Sequence, residues 1–109
     1  MILKGISFHD STLTSISREG SAICLGLDSV YVNGTLRSAK VFLINVGDMT
    51  SQGLPIDDLR MEGDDGEILT LEPTEEGVKL ILIWENYKTR SQVTKSYRIN
   101  CEMNVDISN

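Results

Sequence analysis

The chain has 109 residues, with 16 acidic and 10 basic side chains and a formal charge of −6. That length suits a single domain spanning residues 1–109, and 40% hydrophobic with 24% charged residues excludes a disordered chain. No lysine and arginine cluster supplies the basic footprint that a duplex or an anionic bilayer requires, so nucleic acid and membrane are excluded as direct partners.

The charge is local. Residues 1–56 are neutral overall, residues 78–109 carry a net +2, and residues 57–77 carry nine acidic side chains against one basic one. One short stretch therefore makes the protein acidic. The opening Met-Ile-Leu-Lys-Gly-Ile lacks the basic and long apolar regions of a signal peptide, so a cytoplasmic protein is expected, with Cys24 and Cys101 reduced.

In chain order, Ile2 to Phe8 and Thr12 to Arg18 read as a strand pair joined at His9, Asp10 and Ser11. Glu19, Gly20 and Ser21 turn into a strand from Ala22 to Val32, with Ile23, Leu25 and Leu27 on one face. Asn33-Gly34 is a strong two-residue hairpin signal. Leu36 to Val46 reads two ways. A helix would be capped by Thr35 and ended by Gly47, whereas Val41, Phe42, Ile44 and Val46 favour the strand, which is the preferred reading. One helical turn is expected within Leu54 to Met61, opened by Pro55.

Glu67 to Glu72 is a short strand ended by Pro73, flanked by turns at Gly63 to Gly66 and Pro73 to Gly77, with glycines to take positive φ. Val78 to Tyr87 contains five consecutive apolar residues, which predicts a central strand buried on both faces. A short polar link from Lys88 to Gln92 predicts a hairpin to the next strand. There Tyr97, Ile99, Cys101, Met103, Val105 and Ile107 alternate with polar residues, a strand with one buried face. These elements predict an all-β protein: an antiparallel sandwich or partly open barrel of about seven strands, with at most one short helical turn.

Few constellations point to chemistry. His9 beside Asp10 is a candidate general base with an orienting carboxylate. Neighbours on a strand point to opposite faces, however, so the simpler expectation is a turn held by Asp10 or Ser11 with His9 half-buried. No catalytic residue is assigned. His9, Cys24 and Cys101 lack any zinc-binding spacing. Asp65, Gly66, Glu67, Ile68 and Glu72 imitate the second half of a calcium loop, but Met61 and Gly63 stand where its first carboxylates belong. No phosphate-cradling motif is present, so neither a metal nor a cofactor is expected.

The remaining candidate is the acidic group of Asp57, Asp58, Glu62, Asp64, Asp65, Glu67, Glu72, Glu75 and Glu76. The simpler reading is a solvated surface that keeps a small β protein soluble; the functional one is a docking face for a basic protein. Self-association is a further alternative, because Arg98 lies on the same polar face as Glu102 and Asp106 and could meet them across a two-fold axis.

Three short pieces complete the reading: Phe8-His9-Asp10-Ser11, Gly66-Glu67-Ile68 and Trp84-Glu85-Asn86-Tyr87. Together they resemble small all-β bacterial immunity proteins of polymorphic toxin systems. The resemblance covers about a tenth of the chain and carries no residue-level site. It implies a non-enzymatic module that neutralises a toxin by binding, and an acidic face would suit a basic toxin. A small hydrolase or metal-dependent enzyme centred on His9 is the alternative from another class.

Overall fold

The computed structural model describes residues 5–108 and arranges them as ten strands in one antiparallel sheet that does not close. The first four are β1 (Ile6–Ser7), β2 (Thr12–Glu19), β3 (Ala22–Val32) and β4 (Thr35–Ile44). A small hairpin follows, β5 (Met49–Ser51) and β6 (Leu54–Ile56). The last four are β7 (Asp65–Pro73), β8 (Gly77–Asn86), β9 (Ser91–Asn100) and β10 (Glu102–Ile107). The order across the sheet is β10-β4-β3-β2-β7-β8-β9-β5-β6, with β1 pairing β3 off that path. Among the described residues no helix is long and apolar enough to cross a membrane.

The turns follow their residues. Asn33 and Gly34 both have positive φ (52° and 83°), the two-residue turn whose twist matches β3 and β4. Gln52 and Gly53 repeat it between β5 and β6 (55° and 80°). At the β2–β3 turn only Gly20 is positive, at 60°, which is the mirror-type turn with glycine first.

The all-β reading holds, and the strand preference over residues 36–46 holds as β4. Four expectations need correction. The seven strands become ten, because β5 and β6 form where no strand was read and the last predicted strand is split at Cys101. The helical turn at Pro55 is instead β6. In a two-residue hairpin the flanking pair, Ser51 and Leu54, carries the hydrogen bonds, so the donor-less Pro55 nitrogen faces the open edge. The first two strands do not pair with each other: β1 joins the far end of β3, Ile6 opposite Val32. Ile2, Leu3 and Lys4 of that predicted strand lie outside the described residues. Finally, β8 is central, between β7 and β9, but buried on one face only. Val78, Leu80, Leu82 and Trp84 face the core, while Ile81 and Ile83 share a half-exposed face with Lys79 and Glu85.

The sheet has two well-paired halves. β2 meets β7 through only two residue pairs, Thr12 with Glu67 and Leu13 with Gly66. The halves meet again at Cys101, the single residue between β9 and β10. One residue spans about 3.5 Å, so edge strand β10 must start where β9 ends, and the sheet curls back on itself. Both halves feed one apolar cluster. Ile23, Leu25, Leu27, Val41 and Leu43 come from one side, and Ile68, Leu80, Leu82, Trp84 and Ile99 from the other. Each such side chain stabilises the fold by about 1.5–3 kcal/mol through burial. Gly77 sits against the corner: a Cβ there would lie 1.9 Å from the Ile99 carbonyl oxygen and 2.7 Å from the Cys101 nitrogen.

Candidate functional site

After β6 the chain leaves the sheet edge and crosses back to the start of β7. Residues 57–64 make this crossing, and together with Asp65 at the head of β7 they hold five of the nine predicted acidic residues. Leu59 is buried and fixes the middle of the segment to the core. Three polar anchors fix the rest.

The first anchor is Asp58. Arg18 on β2 donates from Nη1 to its Oδ1 at 2.9 Å, and Arg60 Nε lies 3.5 Å from Oδ2. The Arg18 hydrogen bond, helped by the Leu59 amide, holds the Asp58 carboxyl below its usual range. The second anchor is Glu62. Lys95 Nζ donates to Oε1 and the Tyr97 hydroxyl to Oε2, each at 2.5 Å, and the Tyr97 oxygen accepts the Trp84 indole N–H at 2.8 Å. Burial pushes the Glu62 carboxyl up, but the two donors outweigh it and the net shift is downward. Burial and the Glu62 carboxylate together push the Tyr97 hydroxyl well above its usual value. The third anchor is Asp64, whose amide donates to the Glu85 carbonyl and whose Oδ2 accepts the Tyr87 amide, both at 2.7 Å. The Tyr87 hydroxyl donates to Asp65, which pushes it up to about 12.

The glycines here act by close approach rather than by positive φ. A Cβ on Gly63 would lie 2.5 Å from the Glu85 carbonyl oxygen, and one on Gly66 would lie 3.3 Å from the Trp84 ring. Between the crossing segment and β9 lies an open cleft of about 440 Å³, bordered by Asp57, Asp58, Arg60, Glu62, Lys95 and Tyr97. Asp57 is exposed, and its carboxylate has no ion-pair partner among the described residues.

The acidic residues are therefore not one patch. Asp57, Asp58, Glu62, Asp64 and Asp65 gather at one end of β7. Glu75 and Glu76 occupy the turn at its other end, roughly 25 Å away along a nine-residue strand. Between them, Glu67 faces Ile83 across the β7–β8 ladder and Glu72 faces Lys79.

His9 and Asp10 form a separate feature at the β2–β7 junction. Asp10 has φ 67°, which turns its carboxylate back to 3.5 Å from His9 Nε2. Nδ1 donates to the Leu69 carbonyl oxygen at 2.8 Å, at the bulge where β7 slips register against β8. The Leu69 carbonyl, then the Asp10 charge, raise the His9 pKa. The imidazole is not half-buried as expected: its side chain is 62% exposed. Ser11, by contrast, is fully buried and ties the turn as expected, donating to the Phe8 carbonyl at 2.6 Å. Nδ1 thus ties this turn to β7, while Nε2 faces Asp10 within the turn.

Cys24 and Cys101 are free thiols, each half-buried. Burial pushes the Cys101 thiol up to about 11. Among the described residues no group of three or more His, Cys, Asp or Glu is placed to hold a metal ion.

The sequence assigns no site role to Arg18, Trp84, Lys95 or Tyr97. One signal was available. Val93, Lys95, Tyr97 and Ile99 occupy the inward phase of β9, and a lysine in that phase calls for a carboxylate nearby. Comparison with protein-family models, curated proteins and solved structures finds no match.

Proposed function

We propose that this protein is a non-enzymatic binding module that takes a basic partner protein at the Asp57–Asp65 end. The observation that carries this reading is Tyr87, 60% exposed beside the anchored acidic segment. Tyr87 is held by Asp64 and Asp65, so its ring is presented at low entropic cost. An oriented, exposed tyrosine inside a charged rim is the composition of an interface centre. The anchored carboxylates give direction and association rate; the ring gives residence time.

The resemblance to immunity proteins extends this to a toxin as the partner, with the two halves of the sheet acting as the layers of a β-sandwich. Co-expression with the product of the reading frame next to its gene tests the proposal. The wild-type chain should rescue growth, and the double variant Asp57→Lys, Tyr87→Ala should not. Asp57 and Tyr87 are the residues to change, because Asp58, Glu62 and Asp64 also hold the fold. Equal rescue by the double variant refutes this interface.

A further inference from the structure

The two ends of the sheet are built differently. β6 is three residues long and carries Pro55, which blunts it against further pairing. β10 is six residues long, has no proline and no register shift, and among the described residues pairs only with β4. The direction of its hydrogen bonds follows from one contact. Ser108 donates to the carbonyl of Ser38, the residue opposite it in the same register, at 2.9 Å. Alternate residues of an antiparallel ladder carry the bonds, so Glu102, Asn104 and Asp106 bond to β4. The N–H and C=O groups of Met103, Val105 and Ile107 then point away from the sheet.

The side chains around this edge are specific. Met103, Val105 and Ile107 face inward, the latter two only half-buried, so the apolar face is unfinished beyond β10. Glu102 and Asp106 lie on the opposite face. The β7–β8 turn brings Glu75 and Glu76 to the same edge, across an open cleft of about 460 Å³ that Glu102, Met103 and Asn104 also border.

We propose that the β10 edge is a docking site for an extended segment of a partner protein that alternates apolar and basic residues. Its backbone completes three hydrogen-bonded pairs, at Met103, Val105 and Ile107. Its apolar side chains extend the face of Val105 and Ile107. Its lysines or arginines meet Glu102, Asp106 and the Glu75–Glu76 turn. A second copy of this chain is disfavoured at this seam, because it would add its own Glu102 and Asp106 to one face and each chain carries −6. The proposal does not rest on the Asp57–Asp65 surface, which lies at the other end of β7.

The test is a titration of the full chain with a synthetic heptapeptide of alternating lysine and valine, followed by amide chemical shifts and hydrogen exchange. Slowed exchange confined to Met103, Val105 and Ile107 is expected. Val105→Pro removes an N–H that β4 does not use, so the fold is kept and affinity falls about tenfold or more. Asp106→Lys, an exposed change, weakens the peptide by about fivefold, and a glutamate–valine heptapeptide does not bind. The proposal is overturned if the heptapeptide protects other amides, or binds Val105→Pro and Asp106→Lys as it binds wild type. It is also overturned if the same three amides become protected with rising protein concentration and no peptide, which assigns the edge to a second copy.

Discussion

Tyr97→Phe removes one oxygen from the centre of the crossing segment's strongest anchor. The Trp84 indole N–H then has no acceptor, in a side chain only 2% exposed. Leaving such a donor unsatisfied costs about 1–3 kcal/mol. Glu62 also loses a donor, but its side chain is 38% exposed and keeps Lys95, so water limits that loss to under about 1 kcal/mol. The expected destabilisation is about 2–3 kcal/mol. With a urea slope of about 1–1.5 kcal/mol per molar, the unfolding midpoint falls by about 2 M at unchanged slope. Trp84 is the only tryptophan, so its fluorescence reports from the lesion itself. A double-mutant cycle isolates the mechanism. In a Trp84→Phe background there is no indole N–H to orphan, and the same substitution, followed by circular dichroism, costs under about 1 kcal/mol. Equal costs in both backgrounds, or a loss under about 0.5 kcal/mol in the wild type, would refute the reasoning.

Other outcomes follow from the same contacts. The His9 imidazole should titrate above 6.5 in a proton NMR titration, and Asp10→Asn should lower its midpoint only in part, since the Leu69 carbonyl is the larger cause. With the folded value raised, the stability this contact contributes is present below the unfolded pKa and is lost as pH rises through the folded one. Asp58 has the opposite sign: its contribution is present above 3.8 and is lost as pH falls through its lowered folded pKa. Arg18→Ala should move the Asp58 carboxyl carbon titration back toward the usual value; an unmoved midpoint would remove Arg18 as its cause. Gly77→Ala should destabilise by more than about 2 kcal/mol in thermal unfolding, because the obstruction is backbone. Gly34→Ala, at φ 83° with nothing within 4 Å, should cost only about 1–2 kcal/mol.

The sequence alone determined the strands whose signals are local. Period-two alternation over residues 97–107, the glycine hairpin at residues 33–34 and the apolar run of β8 depend on neighbours one or two residues apart; the first kept its inward phase through β9 and β10, the second became the β3–β4 turn, and the third became a strand, though buried on one face rather than two. The same local reading placed the acidic stretch on turns around a short strand. Tertiary structure decided which strands meet. Cys101 continues the alternation without a break in pattern, yet β9 pairs β8 and β10 pairs β4, since a strand's inward face does not say which edge it will join. For the same reason β1 left β2 for β3. Tertiary structure also sorted the carboxylates. Composition counts Asp57, Asp58 and Glu62 alike, but Arg18 lies 40 residues from Asp58 and Lys95 lies 33 from Glu62. Ion pairs across such separations form only when the sheet brings distant strands together. Pairing therefore made Asp58 and Glu62 structural, left Asp57 facing solvent, and carried Glu75 and Glu76 to the edge of β10.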